Sequence, residues 1–378
     1  MKIFKRLPFD EWYFELFKKM VTTLPNNAEA YYFASFNEVF EDLIQEKFES
    51  SLVLLFIVDN LQYHSDYNPT QTRTVHAQVL LDIALKNPAT TFIISTAMDY
   101  LDREIAANNV HLICHGGLQM QHTHHRESVL DKSNDNLTTF MCLNRGLRPH
   151  RYTTVSYLLG MDLDQYGYIT FNYQSIDKKY NSWLDLCNWQ LTTQQQNLYL
   201  DTILVGFQKA KQGNGIKFDF NKVNATFKQS LNDNVNNFNL YLKPIYQHTF
   251  VEIITESNFC EPSSFLTEKF LQNIYGANFP IVLAPVRTVK HLRRVGFDMF
   301  DDIINHSYDT IENPLDRIIS AIELNRELLI NLDNTKTLWY NNLNRFKKNI
   351  DFAKNCMYNY YEASSLNELQ KILINEQK

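Results

Sequence analysis

The fold class is decided by the stretch Phe250-Val-Glu-Ile-Ile-Thr-Glu-Ser-Asn-Phe-Cys-Glu-Pro-Ser-Ser-Phe-Leu-Thr-Glu-Lys269. A short apolar run ends at Glu256, a polar loop follows, and a helix is expected to begin at Thr267. Gly276 and a second apolar run, Phe279–Ala284, come next. A strand, a helix and a second strand in this order form a parallel unit, and open parallel sheets bind ligands at the carboxyl ends of their strands. The stretch therefore predicts an α/β fold with a ligand-binding crevice.

Similar apolar runs recur through the chain and are bounded by polar or helical stretches. They are Leu52–Val58, Phe92–Ile94, Val110–Cys114, Phe140–Leu143 and Tyr168–Phe171. Strands that are buried on both faces have such continuous apolar runs, and their alternation with helices indicates parallel sheets. We therefore expect two parallel-sheet domains, which a length of 378 residues allows.

Start and stop signals locate the helices. Apolar spacing predicts a helix over 76–85, and Pro149 and Gly160 are expected in the first turn and at the C′ position of another. Asn313 is expected to cap a long helix with one apolar stripe, formed by Leu315, Ile318, Ile319, Ile322 and Leu329. We predict an N-terminal domain over 1–135, a second domain over 136–312 with an amide-rich insertion at about 172–246, and a helical tail over 313–378.

The composition narrows the function classes. Hydrophobic residues make up 44% of the chain, which excludes global disorder. A net charge of −6 argues against extended nonspecific nucleic-acid binding, although a local basic groove stays open. Five scattered cysteines without a C-x-x-C pair argue against a disulfide framework and a structural zinc site. No apolar run approaches the roughly 18 residues that span a bilayer, and no signal-peptide pattern is visible, so we expect a cytoplasmic protein without a membrane span.

Cationic residues cluster in the connection between the Phe140–Leu143 strand and the helix that follows it. The candidate anion-binding residues there are Asn144, Arg145, Arg148, His150 and Arg151. Helix N-termini bind anions through their unpaired N–H groups, and arginine fits phosphate oxygens, so a diphosphate is the expected occupant. The alternative is a solvated basic turn that pairs with nearby acidic residues.

A second candidate cluster comprises Glu256, Thr267, Glu268 and Lys269. With Thr267 as N-cap, Lys269 lies in the first turn, where the helix dipole disfavours a cation. A bound phosphate in front of Lys269 would explain this choice, with Glu268 on a ribose diol and Glu256 on sugar hydroxyls. The alternative for each carboxylate is a helix cap or a surface salt bridge.

The ordered set of these motifs resembles the donor-binding domain of the α1,3-fucosyltransferases. The set is Phe140–Asn144 with Arg151, Tyr166-Gly167, Glu256-Ser-Asn, Thr267-Glu268-Lys269 and Phe279–Val282. The chain is also similar to glycosyltransferase-like proteins of tailed phages, which share Leu143-Asn-Arg, Arg148-Pro-His-Arg151, Gly296-Phe297 with Phe300, and Ser307-Tyr-Asp309. The resemblance covers roughly residues 138–317.

The resemblance implies a GT-B architecture, in which two Rossmann-like domains face each other across a cleft. It implies a metal-independent glycosyltransferase, moving a hexose or pentose from a nucleotide-diphosphate sugar to a hydroxyl. By position, Arg151 and Lys269 would bind the diphosphate, Glu268 the ribose and Glu256 the sugar. The acceptor expected from the phage proteins is a hydroxylated base in phage DNA, in the host cytoplasm. A cell-surface glycan as acceptor, or a non-catalytic nucleotide-sugar binding protein, are the alternatives.

The first domain is expected to supply the catalytic base. Asp59, His64 and Asp66 follow the Leu52–Val58 strand, and aspartate or histidine there can take a proton from an acceptor hydroxyl. The alternative for Asp59 is a strand-end turn residue. Asp162-x-Asp164 is a weak metal signal, because a metal-binding Asp-x-Asp normally ends an apolar strand and this one follows a helix end and precedes a strand. His122-x-His124-His125 is also weak, because no acidic or cysteine partner has convincing spacing. We therefore expect no metal, and no cofactor beyond the donor substrate.

Overall fold

The computed structural model describes residues 2–5, 11–33, 48–57, 75–96, 107–114, 127–133, 135–144, 148–171, 194–216, 242–256, 259 and 267–376. Within these ranges the protein is α/β, with two sheets of parallel strands, as the sequence predicts. The chain divides into two units, one comprising residues 1–121 with 355–378 and the other residues 122–354.

The first unit is built on a sheet of order β1-β2-β3-β4-β5. Its strands are β1 (Lys2–Lys5), β2 (Glu29–Phe33), β3 (Leu52–Ile57), β4 (Thr91–Thr96) and β5 (Val110–Cys114). The last three coincide with apolar runs, whereas β1 and β2 were not predicted. All six residues of β3 are buried, because β3 lies in the middle of the sheet and is covered on both faces.

Three of the described helices belong to this unit: α1 (Glu11–Thr23), α2 (Val75–Lys86) and α12 (Met357–Glu376). Helix α2 matches the prediction over 76–85. Leu369 of α12 packs in one apolar cluster with Phe17 of α1. The Glu376 carboxylate of α12 accepts a hydrogen bond from the Thr91 hydroxyl (2.9 Å) and contacts His111 Nε2 (3.0 Å). The last helix of the chain is therefore part of the first unit.

The second unit contains a sheet of order β7-β6-β8-β9. Its strands are β6 (Phe140–Leu143), β7 (Gly167–Thr170), β8 (Val251–Thr255) and β9 (Phe279–Leu283). The chain adds β7 on one side of β6 and then β8 and β9 on the other. The strand order therefore reverses between β6 and β8, which is the position where open α/β sheets bind ligands.

The helices of the second unit cover and extend this sheet. They are α3 (Pro149–Gly160), α4 (Gln194–Lys211), α5 (Lys243–Gln247), α6 (Glu268–Gly276), α7 (Thr288–Val295), α8 (Pro314–Glu323), α9 (Arg326–Ile330), α10 (Leu332–Asn341) and α11 (Leu343–Asn355). Helices α4 and α5 lie in the amide-rich insertion. None of the described helices is both long and apolar enough to cross a bilayer.

The long helix predicted after Asn313 is in fact broken. Asn313 caps α8 as expected, by accepting from the N–H groups of Leu315 (3.0 Å) and Asp316 (3.1 Å). The helix ends at Glu323, and the next one begins at Arg326. Between them, Asn325 Nδ2 donates to Asn305 O (3.1 Å) and Ala321 O (2.9 Å). The stripe of apolar residues continues across the break, which explains why it suggested one helix.

The prediction for Gly160 was wrong for a packing reason. Gly160 lies inside α3, and the left-handed residue is Asp162 (φ 55°). A Cβ on Gly160 would lie 2.0 Å from Thr202 O, and one on Gly206 would lie 1.7 Å from Ser156 O. The two glycines therefore let the backbones of α3 and α4 touch, and α4 fixes the position of α3.

Candidate functional site

The backbone ladder between β6 and β8 ends before the carboxyl ends of the two strands. Their ladder pairs Phe140 with Val251 and Met141 with Glu252 and goes no further, whereas β8 and β9 are paired over all five residues. Beyond the ladder the two strands are joined by side chains, because the Thr255 hydroxyl donates to Asn144 Oδ1 (2.5 Å). The reversal of strand order therefore coincides with the end of this ladder, and we call this place the opening.

Asn144 links the strands on both sides of this opening through hydrogen bonds. Its N–H donates to Thr170 Oγ1 (2.9 Å) on the β7 side, and its Nδ2 donates to Cys142 Sγ (3.1 Å). The residue is almost fully buried. Asn144, predicted as a donor-binding residue, is therefore placed as a link between strands β6, β7 and β8.

The N-terminus of α3 lies at the opening and is cationic. Arg148 occupies the N-cap position with extended backbone, and its guanidinium cannot accept a hydrogen bond to cap the helix. Pro149 has no N–H, and the first N–H with an intrahelical acceptor is that of Tyr152, which donates to Arg148 O (3.0 Å). The N–H groups of His150 and Arg151 therefore belong to the first turn, which cannot pair them within the helix.

His150 is a buried, neutral residue that fixes α3 to β8. Its Nε2–H donates to the carbonyl oxygen of Glu256 (2.8 Å), so the proton is on Nε2. Burial lowers the pKa of His150 well below its usual value, and the positive charges of Arg151, Arg148 and Lys269 lower it further. The imidazole therefore stays uncharged at neutral pH, and the positive charge here comes from arginine and lysine.

Arg151 carries the buried charge of the site. Its Nη2 donates to the carbonyl oxygens of Thr255 (3.3 Å) and Glu256 (3.4 Å), at the end of β8. Its Nε is buried and has no hydrogen-bond partner in the described part of the chain. Burial lowers the pKa of Arg151 to about 10, so the guanidinium remains charged at pH 7. A buried cation with an unsatisfied donor is a group that an anion would complete.

Phe259 is held between two cationic or heteroaromatic side chains. The His150 ring stacks on it at 5.0 Å between centroids and 16° between planes. The Arg317 guanidinium of α8 lies 4.3 Å from the same ring, and Arg317 Nη2 donates to Phe259 O (2.6 Å). This three-layer stack ties α3, Phe259 and α8 together beside the opening.

The N-terminus of α6 faces the opening from β8. Glu256 is fully buried, and its Oε1 accepts from the N–H of Thr267 (3.1 Å) while its Oε2 accepts from the Thr267 hydroxyl. Thr267 is the N-cap, as predicted, and its Oγ1 accepts from Lys269 Nζ (2.9 Å). Lys269 Nζ also contacts Glu268 Oε1 (3.1 Å). Burial raises the pKa of Glu256, and Lys269 opposes that shift.

A second buried carboxylate, Glu252, lies beneath this cluster. The Tyr246 hydroxyl donates to Glu252 Oε2 (2.8 Å), and burial raises the pKa of Glu252 to about 8. The Tyr246 hydrogen bond and the charge of Lys269 lower this pKa, while the charge of Glu256 raises it. We did not predict Glu252 as a site residue, although a glutamate inside an apolar strand was the available signal.

The third helix at this edge, α7, is capped by Asp309. Asp309 Oδ1 accepts from the N–H of Val289 (3.0 Å), and Oδ2 accepts from that of Lys290 (3.0 Å). The N-cap residue, Arg287, has a left-handed backbone (φ 69°) and contributes no side-chain cap. Asp309 was noted only as part of a motif, because its partner helix lies 20 residues earlier in the chain.

The remaining predicted residues fall into two groups. Arg145, Asp59, His64 and Asp66 lie outside the described residues, as do the histidines at 122–125. Asp162 is described, and it pairs with Lys209 of α4 at the end of α3.

Searches against protein-family models, curated proteins and solved structures found no match for this chain.

Proposed function

We propose that this protein is a metal-independent glycosyltransferase that binds a nucleotide-diphosphate sugar at the opening between β6 and β8. One comparison carries the proposal. At the carboxyl edge of the second sheet, α6 is capped by the Thr267 hydroxyl, and α7 is capped by the Asp309 carboxylate although its N-cap residue is Arg287. The N-cap of α3 is also an arginine, Arg148, but no described side chain accepts from its first-turn N–H groups. An external diphosphate would supply the acceptor oxygens that α3 does not receive from its N-cap.

The charges of the site suit a diphosphate. Arg151 brings a buried guanidinium whose Nε has no partner among the described residues, and Lys269 brings an ammonium whose side chain is only 19% exposed. A partly desolvated cation interacts with phosphate more strongly than one in bulk water. Neutral His150 adds no charge but holds α3 against β8.

In the proposed reaction the donor loses a nucleoside diphosphate as the sugar passes to a hydroxyl. Arg151, Lys269 and the first-turn N–H groups of α3 would stabilise the negative charge that develops on the leaving diphosphate. The base that removes the acceptor proton is proposed to come from the first unit, with Asp59, His64 and Asp66 as candidates. The acceptor we favour is a hydroxylated DNA base, and a GT-B arrangement of the two units belongs to the same proposal.

A thermal-shift series with UDP, GDP, CDP, ADP and their sugars tests the proposal. A ligand that binds the native state adds about 2.7 kcal/mol of stability at a hundredfold excess over Kd. We expect one diphosphate family to raise Tm clearly, with the corresponding nucleoside giving no shift. Release of nucleoside diphosphate in the presence of acceptor then measures turnover. The absence of a shift with every nucleotide would contradict the proposal.

A second candidate is a nucleotide-sugar binding protein without turnover. The observation that favours it is the complete burial of Glu256, which keeps this carboxylate from contacting a sugar hydroxyl in the present structure. This candidate would be supported over the transferase if the nucleotide sugar binds but releases no nucleoside diphosphate, either to water or in the presence of any acceptor.

A further inference from the structure

Three side chains form a hydrogen-bonded chain at the N-terminus of α6. Lys269 Nζ donates to Thr267 Oγ1 (2.9 Å), and the Thr267 hydroxyl donates to Glu256 Oε2. The N–H of Thr267 donates to the other carboxylate oxygen, Glu256 Oε1 (3.1 Å). The carboxylate at one end is fully buried, while the lysine at the other end is partly exposed.

We propose that Glu256 is a positioning residue, which fixes the ammonium of Lys269 through the Thr267 hydroxyl so that Lys269 meets the diphosphate. This inference rests on the proposed function, because it gives the diphosphate as the ligand of Lys269. It assigns Glu256 a different role from the contact with sugar hydroxyls that the sequence suggested.

The direction of the Thr267 hydroxyl carries the argument. A hydroxyl has one proton, and an ionised carboxylate can only accept a hydrogen bond. The Thr267 hydroxyl therefore donates its hydrogen bond to Glu256 Oε2. The lone pairs of Oγ1 are then left for donors, and the structure shows two, Lys269 N (3.5 Å) and Lys269 Nζ (2.9 Å). Without the carboxylate the hydroxyl is free to rotate, and the ammonium loses a fixed acceptor.

Electrostatics explains why Lys269 needs such an arrangement. The first turn of a helix repels a cation, since its N–H groups carry partial positive charge. Lys269 also lies close enough to lower the pKa of His150, on the neighbouring helix. The buried negative charge of Glu256 offsets both effects and opposes the withdrawal of Lys269 into solvent.

The neighbouring Glu268 does not provide the same constraint. It contacts Lys269 Nζ at 3.1 Å, but its side chain is 38% exposed. Ion pairs between exposed side chains contribute little, because water screens them and both side chains lose conformational freedom. Of the described contacts of the ammonium, the one to Thr267 is therefore the better fixed, because Thr267 is itself held by the buried Glu256.

The test uses inorganic pyrophosphate as the probe and the full-length protein. We would measure its Kd by calorimetry for the wild type, Glu256→Gln, Thr267→Val and Thr267→Ser. Glutamine keeps the shape of Glu256 but removes its charge, valine removes the hydroxyl, and serine retains it. Asn331→Ala removes the N-cap of α10, which accepts from Asn334 N (3.1 Å), and so controls for the general effect of losing a helix cap.

We expect Glu256→Gln and Thr267→Val each to weaken pyrophosphate binding about tenfold, the size of one hydrogen bond to a charged group. Thr267→Ser should bind within about twofold of the wild type, and so should Asn331→Ala. The sign for Glu256→Gln is decisive. By Coulomb's law alone, removal of a negative charge beside an anion site strengthens anion binding, so weaker binding points to positioning.

Two outcomes would overturn the inference. Equal or tighter binding by Glu256→Gln would show that the carboxylate does not position Lys269. Equal loss in Thr267→Val and Thr267→Ser would show that the hydroxyl does not transmit the effect. Failure of the proposed function would look different. In that case neither pyrophosphate nor any nucleoside diphosphate would bind the wild type, and Lys269→Ala would cause no loss of binding.

Discussion

The N-termini of α3 and α7 lie at the same edge of one parallel sheet but differ in the side chains that surround their first-turn N–H groups. In α7 the second and third N–H groups both bond the Asp309 carboxylate, which comes from a later turn of the chain. In α3 the N-cap is Arg148, followed by His150 and Arg151. Within the described residues, a carboxylate therefore bonds the first-turn N–H groups of α7, and none is described on those of α3.

The difference separates a structural helix terminus from a candidate binding terminus. A carboxylate at an N-terminus satisfies the N–H groups and complements the helix dipole, so α7 is complete without a ligand. In α3, Arg148 and the buried Arg151 add positive charge to the positive end of the helix, and a bound anion would offset this charge. Helix α6 lies between the two cases, because Thr267 caps it while Lys269 adds a cation.

Replacement of Arg151 is expected to have the largest effect on anion binding. Arg151→Ala should weaken pyrophosphate or nucleoside-diphosphate binding by about 100-fold, because the buried positive charge and the charge-assisted hydrogen bond available from its Nε are both lost. Arg151→Lys keeps the charge without the fork and should recover part of the affinity. Calorimetric Kd values for the three proteins test this, and an unchanged Kd in Arg151→Ala would remove α3 from the site.

An alanine at Gly206 is expected to have the next largest effect. Its Cβ would lie 1.7 Å from Ser156 O, so α4 must move away from α3. We expect a loss of about 2 kcal/mol in the free energy of unfolding, together with a several-fold weaker anion affinity. Urea denaturation and calorimetry measure the two effects. Gly213→Ala, also in this segment but at a turn with φ 75°, gives a matched comparison for destabilisation without contact to α3.

Replacement of Asp309 should affect stability and leave anion binding unchanged. Asp309→Ala removes the acceptor of two N–H groups in α7, so we expect a loss of about 2 kcal/mol in the free energy of unfolding. The Kd for pyrophosphate should match the wild type. A loss of anion affinity comparable to that of Arg151→Ala would contradict the distinction between the two helix termini.

The smallest expected effect on anion binding is that of Glu252→Gln, which should change only the pH dependence of stability. Burial raises the pKa of Glu252 from 4.5 to about 8, so between these values the native state holds a proton that the unfolded state has released. The free energy of unfolding therefore falls as pH rises through this window. Denaturation of both proteins from pH 4.5 to 9 should show a shallower decline for the glutamine variant, and identical slopes would contradict this.

Much of the second sheet could be predicted because its strands are short apolar runs with clear limits. Phe140–Leu143 matches β6 to the residue, and the N-caps Thr267 and Asn313 follow from local chemistry. The strands β1 and β2 were not predicted, since their side chains do not form the same uninterrupted apolar pattern. Glycine was misread at Gly160, because the same residue type serves a turn and a close helix contact.

The sequence by itself determined the α/β class, the parallel strands of the second sheet and the clustering of cations before α3. These depend on properties of residues close together in the chain, such as apolar runs, caps and helix stops. Only the tertiary structure decided that the ladder between β6 and β8 ends before their carboxyl ends and that the distant Asp309 caps α7. It also decided that Glu256 faces Thr267 from a buried position. Such contacts join residues far apart in the chain, and no local pattern encodes which of them meet.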